Sequence, residues 1–220
     1  MRPDPRRIAA LLGHQPAEPG GRAAPIGELR RRGVVAALVA AQASVGVMVA
    51  VMTLTGAVVA DHFGHEHHDV FPIIGAHFIG MYGLVIVVGD LVDRIGRARS
   101  LAGGLVLMGL SVSALGWVDS VHATAAALFG LGLGWNVSFV ASTAELADQT
   151  KPWERGRLLG VNDLLSGATG AGLTLLGGFV LNAAGVTTLA IGAVVLLIAP
   201  ALWILRDASS QATTTSRRRS

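Results

Sequence analysis

Gly89-Asp90-Leu91-Val92-Asp93-Arg94-Ile95-Gly96-Arg97-Ala98-Arg99-Ser100-Leu101 decides how the rest of the chain is read. Three arginines and two aspartates are packed between two apolar segments, each long enough to cross a bilayer. An arginine or aspartate at the centre of a membrane helix costs about 2.5–3.5 kcal/mol on insertion scales, so this stretch belongs in water and its flanks in lipid. Gly89 and Gly96 predict a sharp backbone turn, which makes the stretch a tight hinge rather than a linker.

Composition supports that division. Of 220 residues, 52% are hydrophobic and 14% charged, where soluble domains carry about 25% charged residues. With a mean hydropathy of +0.58, the chain reads as an integral membrane protein. Its pI near 10.5 would in a soluble chain suggest nucleic acid, but the basic residues stand in short blocks between apolar runs and form no stripe on a helix face, so no nucleic-acid partner is expected. Without cysteine there is no disulfide framework and no thiolate metal site. Sixteen of the seventeen basic residues are arginine, and alanine and glycine are abundant, a composition that suggests a GC-rich bacterial genome.

Working outward, six apolar segments run Val34 to Val59, Phe71 to Val88, Ser100 to Val118, Ala123 to Ala144, Leu158 to Leu181 and Val186 to Leu205. A helix needs about 20 residues to cross a hydrocarbon core of about 30 Å. At bilayer depth each helix must satisfy its own backbone, so an all-α bundle with antiparallel sequential neighbours is expected. The chain then divides into a lead-in at 1–33, a six-helix transmembrane domain at 34–205 and a basic tail at 206–220. The lead-in, with five prolines and seven arginines, reads as mostly disordered, with Arg6 to Leu12 as a short interfacial helix, and not as a signal peptide.

Orientation follows from the arginines. With six crossings, the lead-in, the Gly89 to Arg99 loop, the Glu145 to Arg157 loop and the tail share one side, and they hold seven, three, three and four basic residues, leaving none for the other side. The positive-inside rule makes that side cytoplasmic, so both termini are expected in the cytoplasm of a multi-pass plasma-membrane protein. Trp117 and Trp203 sit at segment ends, where an indole can be half wet; Trp135 falls mid-segment. Glycines crowd the third, fourth and fifth segments, as expected where helices approach closely, and their density predicts that the fifth contacts others on more than one side.

The opening stretch resembles the signature loop of the major facilitator superfamily, G-x-L-x-D-R-x-G-R-x-x-x-L, with Gly89, Leu91, Asp93, Arg94, Gly96, Arg97 and Leu101 in register. Arg157 to Leu164 and the glycine-rich run to Gly178 resemble the eleventh helix of bacterial permeases of that family. Leu131 to Asn136 resembles the tenth, and Arg2-Pro3-Asp4-Pro5 the start of the loop joining the two halves. The resemblance implies the C-terminal six-helix half of a twelve-helix permease, built from two inverted three-helix repeats, with the solute path between halves. It further implies that Asp93 caps a helix of the opposite half, with Arg94 and Arg97 as its network and Gly89 and Gly96 shaping the gating motif. The partner would be an N-terminal half or a second copy. The first, second, fourth and fifth segments would line the cavity.

Polar groups at membrane depth are costly and usually face the interior or a wet path. Gln42, His77 and Asn136 qualify, with Asp163 nearer a helix end. Gln42 and Asn136 are expected to hydrogen-bond the solute. His77 is expected either to bond a neighbouring helix or to carry a coupling proton. Tyr82 and Trp135 either wall the path or pack, and Asp163 is expected as a helix-end hydrogen-bonding group. A second constellation, Asp61-His62-Phe63-Gly64-His65-Glu66-His67-His68-Asp69, carries four histidines and three carboxylates. It is expected as a polar cap between helices, with His62, His65, His67 and His68 as the alternative ligands of Zn²⁺, Ni²⁺ or Cu²⁺. The spacing matches no closed metal site.

The leading reading is a secondary transporter of a small solute in the lipid bilayer, working without a cofactor. The alternatives are a non-transporting truncated paralogue acting as a binding or regulatory module, and a metal-handling protein centred on the histidine loop. An enzyme is not expected, because the chain shows no Ser/His/Asp set, no H-E-x-x-H, no phosphate loop and no paired carboxylates at depth.

Overall fold

The computed structural model describes residues 32–62, 67–118 and 120–219, with side chains left out at 32, 55–62, 67–70, 152–154 and 211–219. The lead-in up to residue 31 lies outside the described residues. Every regular element described is helical. Helix α1 is Arg32–His62 and α2 is His67–Phe78. A π-helical turn, Ile79–Gly83, follows α2 and leads into α3, Val85–Ile95. Helix α4 is Arg97–Leu115 and α5 is Val121–Gln149. The last helical run, Pro152–Arg219, is interrupted at Gly185 (φ 78°, ψ 176°), giving α6 (152–184) and α7 (186–219).

Four helical stretches are long and apolar enough to cross a membrane, and a fifth if Phe71–Gly83 and Val85–Ile95, bent by 51°, count as one. The observed helices outrun the apolar segments that announce them. Helix α5 extends five residues past the expected end at Ala144, because Glu145, Leu146, Ala147 and Gln149 are good helix formers and water solvates the polar ones.

One expectation is corrected here. Gly89 does not turn the chain; it lies within α3, and the break falls on Gly96 alone. Gly96 has φ 94° and ψ 150°, a region that side chains with a Cβ avoid. Gly96→Ala is therefore expected to cost about 1–3 kcal/mol, read as a lower unfolding temperature in detergent. An unchanged midpoint would show that the turn accepts a side chain.

Helix α5 is the axis of the bundle, packing against α1, α2, the π-helical turn, α3 and α4. Its start is capped by Ser120, whose hydroxyl oxygen accepts from the Ala123 N–H at 3.3 Å. At the other end Arg155 donates to the Ala147 carbonyl at 2.7 Å, satisfying one of the last carbonyls of α5. Two backbone crossings set its neighbours. A Cβ on Gly104 of α4 would lie 2.6 Å from the Gly134 carbonyl oxygen, and one on Gly134 would lie 2.7 Å from the Gly104 carbonyl oxygen. On another face, Gly132 meets the His77 carbonyl oxygen and the Met81 N–H. Around these crossings lies a core of Leu101, Leu105 and Met108 from α4, Leu128 and Leu131 from α5, and Leu197, Ala201 and Ile204 from α7. In lipid such contacts hold helices by close packing rather than by water exclusion.

The fifth segment does meet more than one neighbour, since Gly177 lies against Leu54 of α1 and Leu189 of α7 and Leu158 packs with Leu146 of α5, but several of its glycines stay open. Helix α6 meets α1, where Gly170 faces Val49 and Gly177 faces Leu54, but a Cβ on Gly156, Gly160, Gly167 or Gly172 would touch nothing within 4 Å. Helical glycine spacing records where a backbone could be approached, and in this chain four of these glycines are left unapproached.

Candidate functional site

The charged stretch and the ends of three helices meet at one end of the bundle. Arg97 is the centre. Its Nη1 donates to Asp93 Oδ1 at 2.6 Å and its Nε to Asp148 Oδ2 at 3.3 Å, so one guanidinium joins the end of α3, the start of α4 and the end of α5. Arg94 instead pairs with Asp90 at 2.9 Å, one turn back on α3. The start of α1 comes to the same end, where Gly33 lies against Glu145 and Gln149, and Val34 and Ala37 pack on Leu146 and Leu158 in a small satellite core. Three of the four arginine-bearing segments thus share one end. Asp148 is the residue that sequence reading missed; among the three acids and three bases of the 145–157 connection nothing in the sequence singles it out.

Asp93, Asp148 and Arg94 are mostly exposed, and such pairs are worth about 0–1 kcal/mol each. Arg97→Gln is therefore expected to lower the unfolding temperature by little, so a larger loss of any transport activity would separate a gating role from a structural one. Loss of fold in Arg97→Gln would count against that separation.

At membrane depth, Gln42 of α1 is fully engaged by α6. Its Nε2 donates to Asn162 Oδ1 at 3.3 Å and to Ser166 Oγ at 3.1 Å, and its Oε1 accepts from Thr169 Oγ1 at 3.1 Å. Asn162, Ser166 and Thr169 fall one turn apart on a single face of α6, which is why one glutamine can reach all three. Sequence reading found the glutamine and missed its partners, although their i, i+4, i+7 spacing was the available signal. Asp163, the neighbour of Asn162, is exposed on another face of α6.

His77 is completely buried, and its Nδ1 lies 2.8 Å from the Leu128 carbonyl oxygen of α5, within hydrogen-bond distance. That geometry is the interhelical bond expected of an interior histidine. Asn136 is also buried. His77 Nε2, Asn136 Nδ2 and the Trp135 indole N–H find no hydrogen-bond partner among the described residues. Tyr82 and Trp135 meet edge to face with ring centroids 6.0 Å apart. His65 lies outside the described residues, as do the side chains of His62, His67 and His68; among the described residues no three histidines or carboxylates gather as a metal site.

A sequence profile of the Major Facilitator Superfamily matches residues 36–220, from the first turns of α1 through α7. The chain belongs to the Major Facilitator Superfamily. Over 183 residues it is 35% identical to the uncharacterized MFS-type transporter YdeG of Bacillus subtilis strain 168, covering 79% of this chain and 42% of that protein. The MFS-type transporter YddS of the same organism, also uncharacterized, is 34% identical over 171 residues, 76% of this chain and 39% of that protein. The riboflavin transporter RfnT of Brucella anthropi is 34% identical over 167 residues, 75% of this chain and 42% of that protein. The chain spans about two-fifths of the length of these curated relatives. No solved structure matches it. As a superfamily member it is an all-helical, multi-pass membrane protein.

Proposed function

We propose that the chain forms the C-terminal six-helix half of a secondary transporter, which moves a small solute by alternating access with an N-terminal half or a second copy. The observation that carries this reading is the Asp93–Arg97–Asp148 bridge, because it lies on the family's signature loop and ties three helix ends that must move together when a gate opens. Family membership over residues 36–220 supports the same reading. In this proposal the bridge latches the half on the cytoplasmic side, and Asp93, only paired through Arg97, keeps an oxygen for a helix N-terminus of the other half.

Six crossings belong to the proposal. Arg155–Ser210 is one apolar run of 56 residues, which at about 1.5 Å per residue would extend about 84 Å against a core of about 30 Å. Breaking at Gly185 lets it cross twice. Reporter fusions at Met1 and Ser220 are expected to place both ends in the bacterial cytoplasm; ends on opposite faces would defeat the six-crossing reading.

Gln42 takes a different role from the one its sequence suggests. With every amide atom engaged by α6, it joins two helices, and the solute-facing groups of the proposal are Asn136, Trp135 and Tyr82. His77 stands as an interhelical tie. The test is uptake into membrane vesicles from cells producing this chain with the N-terminal half of a relative such as YdeG, and alone. Riboflavin, carried by name in one relative, is the first solute of the panel. Uptake that depends on this chain and falls in Asp93→Asn is expected; inertness with every partner and solute would defeat the proposal.

A further inference from the structure

We infer that the row Phe78, Tyr82, Trp135 and Phe139 is a stacking platform for a planar aromatic solute bearing a hydrogen-bond acceptor. The inference rests on the transporter reading for its purpose, but not for its geometry.

The rings form a continuous series across three elements, α2, the π-helical turn and α5. Phe78 and Tyr82 lie nearly parallel, with centroids 6.4 Å apart and planes 17° apart. Tyr82 meets Trp135 at 6.0 Å and 74°. Trp135 and Phe139 are stacked at 4.9 Å and 15°. The chain has eleven Phe, Trp and Tyr residues in all, so this row gathers more than a third of them. Phe78 is 52% exposed, Tyr82 58% and Phe139 36%, leaving ring surface accessible along the row.

Three observations separate this row from an ordinary lipid-facing surface. Tyrosine and tryptophan favour the membrane–water boundary, where the ring is apolar and the O–H or N–H is wet. Here Tyr82 lies midway along the bent Phe71–Ile95 span and Trp135 at the midpoint of Val121–Gln149, where hydrocarbon offers neither group a partner. The Trp135 N–H is buried and unpartnered among the described residues. Finally, Tyr82 stands on the π-helical turn Ile79–Gly83. Such turns sacrifice regular helix bonding and gather at functional sites. The turn is admitted by Gly80, whose backbone meets the Phe129 carbonyl of α5, and this close approach brings the Tyr82 ring to the Trp135 ring.

An aromatic solute fits these features together. Its face adds to the stacked series, with the offset or edge geometry that aromatic quadrupoles prefer, and its acceptor takes the Tyr82 O–H, which stands on an exposed side chain. A saturated molecule of equal size gains only the apolar contact.

Equilibrium dialysis of the full chain in lipid nanodiscs, corrected against empty nanodiscs, tests the inference with 2-naphthol and decahydro-2-naphthol. Preference for the aromatic probe by about tenfold is expected, lost in Trp135→Leu and Phe139→Leu but kept in Trp135→Phe, with unfolding temperatures unchanged. Equal binding of the two probes, binding of neither, or a preference that survives Trp135→Leu would overturn it. So would loss of naphthol binding on adding the N-terminal half, which would make the row a contact between halves. Aromatic preference without uptake in vesicles would leave the platform standing and remove the transporter reading; uptake without the preference would do the reverse.

Discussion

Gly104→Leu is expected to prevent or severely weaken assembly of the bundle, while Gly103→Leu, one residue away, leaves it unchanged. The two positions share a helix, a residue type and a depth. They differ in what a side chain would meet. A Cβ on Gly103 would find nothing within 4 Å, whereas one on Gly104 would lie 2.6 Å from the Gly134 carbonyl oxygen and 2.7 Å from the Ser138 nitrogen. Both are backbone atoms of α5, so no rotamer change relieves the clash and the helices must separate. Overpacking costs typically about 1–3 kcal/mol and more when backbone must shift. Much of the small stability of a domain would go. The check is the yield of monodisperse protein and its unfolding temperature in detergent. Gly134→Leu is expected to behave like Gly104→Leu, since the contact is reciprocal. Equal behaviour of the 103 and 104 variants would mean that α4 and α5 do not cross there.

Gln42→Leu is the second large effect. It removes three interhelical hydrogen bonds at once. Measured in membranes, such bonds average about 0.6 kcal/mol and reach about 1.7, so a loss of about 2 kcal/mol is expected. The double variant Gln42→Leu/Thr169→Val should cost less than the two singles added, because each single already breaks the shared bond. Additive losses would show that the α1–α6 polar contact is not formed.

The all-helical class, the membrane setting and the family were legible in the sequence because they rest on long-range averages: apolar length, arginine distribution and a spaced loop motif. Helix ends were not, because polar residues such as Glu145 and Gln149 extend a helix into water as readily as they leave it. Gly89 and Gly96 look alike in a loop motif, yet only the latter needs a positive φ, and that depends on where α3 stops. The partners of Gln42 lay 120 to 127 residues away, a pairing that only the fold supplies. The π-helical turn had no sequence signal; it arises where α2 must stay close to α5 while the chain bends into α3. Asp148 was not legible either, since it is one of three acids among three bases in its connection and only the fold brings Arg97 to it.

The seam where Gly104 meets Gly134 contains no side chain from either glycine, and this sets where the bundle can yield. Torsions that let a packed surface rearrange belong to long side chains; a carbonyl resting on a Cα hydrogen has none to spend. Helices α4 and α5 are thereby welded into a spine. Any rearrangement of the bundle is then easier farther out, at places like the one where Ile198 of α7 lies over Gly109 and long side chains rather than backbone make the contact.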